Sequence, residues 1–220
     1  MGEGGPAIQL LGPYRESSRA LLNKWPESVR TAETEYKSGA IIMGDEDQRL
    51  NVLSFAEQRY VADPSIVNDT SIAFVLRHGG HSIAVCSDSH AETLVRSIGE
   101  DFGETLKVDV ATLPHHGSAA NMSVELAKRL QARYWIVSTD GGRSREKKPT
   151  RASIARVLAS RKPSGNPLDL TFNYDKPAAR VWDNVDAMAG YNYSVRFTGD
   201  DDDFVMIRLP ALPQTPPDAD

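Results

Sequence analysis

The sequence predicts an α/β fold, and two observations carry that prediction. Between Ser71 and Ala159, short apolar runs alternate with segments of helical spacing. Each run ends in a turn or polar loop well before it reaches membrane-spanning length.

Taken in order, residues 1–67 read as an N-terminal linker with partial strands. Ala7–Leu11 is a short strand stopped by Gly12-Pro13, and Ser17 or Ser18 caps a short helix to about Asn23. Residues 26–66 are weakly patterned, with Ile41–Met43 a candidate strand. The pattern sharpens over residues 68–161. Ser71–Arg77 and Ser82–Cys86 flank His78-Gly79-Gly80-His81 and read as a hairpin. Ala91–Ile98 has helical spacing and stops at Gly99. Val108–Leu113 is a strand, Ser123 caps a helix through Leu130, Tyr134–Ser138 is a strand and Ser153–Ala159 a helix. Residues 162–209 read as a β-rich extension with strands at Leu168–Tyr174, Ala179–Trp182, Tyr191–Phe197 and Phe204–Leu209. Residues 210–220 read as a disordered tail.

Composition narrows the classes. Forty per cent of the residues are hydrophobic, enough for a core, and mean hydropathy is −0.41. The opening Met-Gly-Glu-Gly-Gly-Pro has no basic and apolar leader pattern, so a soluble cytoplasmic protein without membrane attachment is expected. The single cysteine, Cys86, excludes an internal disulfide and a Cys-rich zinc site. A net charge of −5 disfavours broad, non-specific nucleic-acid binding but leaves room for a local basic groove, for which Arg143–Arg151 is the densest segment. Its ordinary reading is a solvated loop. The carboxylates of Asp200–Asp203 lack the ligand alternation of a calcium loop.

Two loops concentrate the chemistry. Cys86-Ser87-Asp88-Ser89-His90 and Leu113-Pro114-His115-His116-Gly117-Ser118 each follow an apolar strand, and ligands of open α/β sheets gather at carboxyl ends of strands. A carboxylate and imidazoles meeting there suit a divalent cation, zinc or manganese, which would supply hydroxide near neutral pH. Each residue also has a plainer reading. Asp88 would cap the helix that begins near Ala91, the His pair would be a polar loop, His90 would face solvent, and His78 and His81 would flank a surface turn.

The ordered set is more specific than its parts. Asn68 to Leu76, Gly79-Gly80, Ser82 to Asp88, Leu113 to Ser118, Ile136 to Gly142 and Lys148-Pro149-Thr150 together resemble the C-terminal half of ComEC-like metallo-β-lactamase-fold hydrolases. The resemblance covers roughly residues 68–160. It implies half of an αββα sandwich, with Asp88 as the metal-bridging aspartate and His115 and His116 as the metal-site His pair, one of which would face the metal. Asp88 and His116 would be catalytic, and Ser118, Asn121 and Lys148 would bind substrate, nucleic-acid phosphodiesters being the substrate class.

Three departures bear on that reading. Ser87 stands where the family has Gly, Lys148 stands where it has His, and no His-x-His-x-Asp-His motif occurs. Lysine is a poor neutral-pH metal ligand but can hold a phosphate. Two functions follow. In one, the chain is half of a metal-dependent hydrolase, completed by a second polypeptide or an N-terminal segment bearing the missing motif. In the other, it is a degenerate, non-catalytic binding or regulatory subunit. The predicted strands carry apolar residues on both faces, so burial on both sides is expected.

Overall fold

The computed structural model describes residues 5–25, 50–141, 147–162, 165–198 and 204–211. Ile41–Met43, Asp200–Asp203, residues 143–146 of the basic run and most of the C-terminal tail lie outside the described residues.

The described residues form one seven-stranded, mostly parallel sheet whose strand order equals sequence order. Strand β1 (Ala7–Gly12) pairs antiparallel with β2 (Ala73–His78), which turns through Gly79-Gly80 into antiparallel β3 (His81–Val85). From there β4 (Leu106–Thr112), β5 (Leu130–Val137), β6 (Leu168–Phe172) and β7 (Tyr193–Phe197) join in parallel. Both hairpin glycines have positive φ, which fits the Gly-Gly turn read from sequence.

Helix α1 covers residues 15–25, and α2 (Val52–Ala56) and α3 (Ile66–Asp69) follow. Helix α2 falls in the weakly patterned stretch and α3 begins at its end. Helix α4 (Ala91–Phe102) buries Ala91, Leu94 and Ile98 at helical spacing and exposes Glu92, Arg96 and Glu100. It runs through Gly99 and stops at Gly103, whose φ of 78° ends the helix. Ser123 caps α5 (Val124–Arg129), accepting from the Leu126 N–H at 3.0 Å. The expected final residue of that helix, Leu130, instead opens β5. Thr150 caps α6 (Arg151–Ala159).

The last third differs from its reading. Leu168–Phe172 and Tyr193–Phe197 are strands of the same sheet. The expected strand Ala179–Trp182 falls on α7 (Pro177–Arg180), led by Pro177 at its first turn, and α8 (Val185–Tyr191) follows. Residues 204–209, also expected as a strand, are unpaired coil.

The topology dictates where the core sits. Parallel strands need crossovers, and crossovers are right-handed. With strands added in one direction only, every crossover then lies on the same face. The burial agrees. Leu94 and Ile98, Leu126, Ile154 and Leu158, and Trp182 share one core with Ala84, Ala111, Trp135, Val137, Leu170 and Phe172. The register places a second set on the opposite face: Ile8, Leu76, Ile83 and Val110 in one row, with Leu10, Phe74 and Val85 beside it. None of these belongs to that core. Val110 is buried, Phe74, Leu76, Ile83 and Val85 are half-buried, and Ile8 and Leu10 remain 65% and 60% exposed. No helix among the described residues is long and apolar enough to cross a membrane.

Candidate functional site

The loops after β3 and β4 sit side by side because those strands are parallel neighbours, and the His115 N–H donates to the Ser87 carbonyl at 2.8 Å. Both loops are backbone-strained. Ser87, His115 and His116 have φ of 50°, 47° and 58°, a left-handed region that non-glycine residues rarely occupy. Each such residue costs about 1–3 kcal/mol and persists because its surroundings over-determine it. Gly117, at φ 85°, holds the turn in place. A Cβ there would stand 2.7 Å from Pro149 Cβ and 2.8 Å from Leu113 Cδ2. Its carbonyl accepts from the Thr150 N–H at 2.9 Å, Thr150 Oγ1 at 3.0 Å and Ser153 Oγ at 2.8 Å. The start of α6 thus clamps the His-His-Gly turn.

His116 faces outward. Its Nδ1 lies 2.6 Å from the Ser138 carbonyl oxygen. A carbonyl only accepts, so Nδ1 carries the hydrogen and neutral His116 keeps its lone pair on Nε2. That nitrogen is 3.8 Å from Asp88 Oδ1, at the mouth of the two loops, with the side chains 51% and 37% exposed. A lone pair opposite a carboxylate is an arrangement that a cation or proton between them would stabilise. Donors about 2.0–2.2 Å from a tetrahedral cation stand roughly 3.3–3.6 Å apart, a few tenths of an ångström inside the observed gap. Metal-ligating histidines characteristically donate their other ring N–H to such a carbonyl. Asp88 does not cap α4. His90 occupies the cap position and makes no capping bond with its side chain.

His115 faces inward. Its Nδ1 lies 3.0 Å from Asn121 Oδ1 and 3.4 Å from Asp63 Oδ2. Asn121 is fully buried, and its Nδ2 reaches Asp63 Oδ2 at 3.0 Å and the Asp88 and Ser89 carbonyls at 3.2 and 3.3 Å. Asp63 also accepts from Asn68 Nδ2 at 2.8 Å and from the Ser65 N–H at 2.9 Å. Burial pushes the Asp63 carboxyl up, but the donors from Asn68, Ser65 and Asn121, with His90 nearby, outweigh it and hold it below the usual range. His90 is half-buried, not solvated. Its Nε2 is 2.8 Å from the Ser65 carbonyl and its Nδ1 3.5 Å from Asp69 Oδ1, which accepts from Thr93 Oγ1.

The remaining sequence candidates fall around this pair. Ser118 is buried, its Oγ accepting from the Ala120 N–H at 3.2 Å. Lys148 is half-buried and precedes the Pro149 that packs on Gly117. Cys86 is a core residue whose thiol burial pushes up to about 12, so it stays an unreactive thiol. His78 is exposed, and His81 lies 3.5 Å from Asp109.

Sequence reading missed the inner support. Asp63 sits in the weakly patterned stretch, where the one available signal was Asp63-Pro64-Ser65, a turn in which the aspartate accepts from the N–H two residues on. The sequence marks Arg156 only as part of a helix. It is buried and donates to the carbonyls of Ala119, Met122 and Gln58 at 2.8, 2.7 and 2.9 Å, bracing the loop after the His pair.

The Asp88–His116 geometry suits a cation and supplies two donors. Among the described residues no three His, Cys, Asp or Glu side chains gather in a cation-binding group. Compared with protein-family models, with curated proteins and with solved structures, the chain returns no match.

Proposed function

We propose that this chain is the C-terminal half of a metal-dependent hydrolase of the metallo-β-lactamase αββα type, presenting Asp88 and His116 to a zinc or manganese centre. The remaining donors, a His-x-His-x-Asp-His set, come from a segment outside this sequence, on a second polypeptide or another part of the same one. The observation that carries this reading is the His116 tautomer, which leaves Nε2 facing the Asp88 carboxylate across 3.8 Å at the ends of neighbouring strands. The apolar sheet face outside the core supports it, since a second sheet packed there would complete the sandwich. Nucleic-acid phosphodiesters are the substrate class, with Lys148 on the substrate side, while Ser118 and Asn121 are buried and support the two loops from behind. The two-donor count favours a second reading, a degenerate binding or regulatory subunit.

Calorimetric titration of zinc and manganese into the purified chain tests the half-site. Weak binding that vanishes in both Asp88→Ala and His116→Ala is expected, with no cleavage of a chromogenic phosphodiester by the chain alone. The complex isolated from its natural source should hold metal and cleave that probe, and lose both with Asp88→Ala. Metal binding that ignores both substitutions would remove the half-site. A complex without metal or turnover would establish the binding-subunit reading.

A further inference from the structure

The two histidines of the turn share a tautomer, and a buried carboxylate enforces it in one of them. Asn121 can present its amide only one way, because Nδ2 faces three acceptors, Asp63 Oδ2 and the Asp88 and Ser89 carbonyls, at 3.0–3.3 Å. A flipped amide would set its oxygen against all three. Asn121 Oδ1 is therefore what meets His115 Nδ1 at 3.0 Å, and the second nearby oxygen, Asp63 Oδ2 at 3.4 Å, also asks for a hydrogen. The one group that argues otherwise is Asn68 Nδ2, 3.4 Å from the same nitrogen, but it already donates to Asp63 at 2.8 Å. Two acceptors, one of them a carboxylate, outweigh one distant and committed donor.

We propose that Asp63 is a positioning residue which, through Asn121, locks His115 in the Nδ1–H tautomer and so leaves the Nε2 lone pair as a hydrogen-bond acceptor, on a ring whose centroid is 6.0 Å from that of His116. With Nδ1–H on both rings, the turn carries two imidazole lone pairs rather than one. The ligand class for the second is an O–H or N–H donor, such as a water or a substrate hydroxyl. Asp63 touches neither and acts through the relay. Its own loop is tied to the same turn, since the Asp63 N–H donates to the Ala120 carbonyl at 3.2 Å. The functional meaning of the lock rests on the half-site reading above. The tautomer does not, and is measured without metal.

Long-range proton–nitrogen correlation spectra of the nitrogen-15-labelled full chain, at a mildly alkaline pH, read the tautomer of each ring. In the parent, His115 and His116 should both be Nδ1–H. In Asp63→Asn, Asn121 keeps only the Asp88 and Ser89 carbonyls and His115 loses its nearby carboxylate, so an Nε2–H population of His115 should appear while His116, held by the Ser138 carbonyl, does not move. His116 is thereby the internal control for a folded loop. Should Asp63→Asn lose that control signal, Asp63→Ser, which keeps an oxygen for the Ser65 N–H, asks the same question. An Nε2–H His115 in the parent, or an unchanged His115 in the folded variants, overturns the proposal. Zinc added to the parent then separates the two readings. If no His116 Nε2 shift follows, the half-site fails, while the tautomer lock stands on its metal-free spectrum.

Discussion

His115 and His116 are adjacent in the chain, share left-handed backbone angles and share a tautomer, yet their side chains belong to different parts of the molecule. His115 is 21% exposed and tied into Asp63, Asn121 and, through them, the loop before α3. His116 is 51% exposed and held by a single carbonyl. The inner side is fold, built from buried groups that must all be satisfied. The outer side is surface, where a group can be exchanged without disturbing the frame. A strained turn can present a reactive face outward because its other face is over-determined inward.

The inner side breaks most readily at Arg156. Replacing it with Met leaves the carbonyls of Ala119, Met122 and Gln58 without their donor. A loss on the order of 3–5 kcal/mol is expected in urea unfolding, enough to blur the comparison by loosening both histidines. Gly117→Ala comes next. The added Cβ meets Pro149 and Leu113 below 3 Å at a φ alanine resists, and about 2–4 kcal/mol should be lost in the same assay.

Asp63→Asn sharpens the comparison through pH. The folded Asp63 carboxyl is held below its unfolded value of about 3.9. Its stabilisation is therefore fully present above that value and lost as pH falls through the lower, folded one. Parent and Asp63→Asn should differ by about 1–3 kcal/mol near neutral pH, and the gap should narrow in acid, below about pH 4. A gap independent of pH would remove the carboxylate's role. His116→Ala has the smallest effect, with unfolding free energy within about 0.5 kcal/mol of the parent. A larger loss would mean that the outer histidine is also part of the frame.

The covered parts of the fold were legible because their periodicity was strong. The hairpin, α4 and the strands around the two loops follow from apolar spacing and Gly-Gly punctuation. Asp88 and the His pair were legible as loop residues after strands. What sequence could not supply was direction. Nothing in His115-His116 says that one ring turns inward, since that depends on Asp63 and Asn121, which are 58 residues apart. The strand reading of Ala179–Trp182 failed because four residues are too few to show a period, and Pro177 then favours a helical start. The spacing of Leu130 suits α5, but the chain passes from α5 into β5 with no connecting loop, and Leu130 opens the strand.

The identity of strand order and chain order also governs how the sheet assembles. From β2 onward, each strand needs only the edge left by the one before it, so the sheet can grow outward as the polypeptide emerges, with no strand waiting for a later partner. β1 is the exception. The chain leaves it at Gly12 and returns to its partner only at Ala73, so its docking closes the longest loop between neighbouring strands. Among the described residues it also has just one neighbouring strand, and it carries two outward apolar side chains, Ile8 and Leu10. Its amides should therefore exchange with solvent faster than those of β4 or β5 in native-state hydrogen exchange, and equal protection would mean that β1 joins as early as the strands beside it.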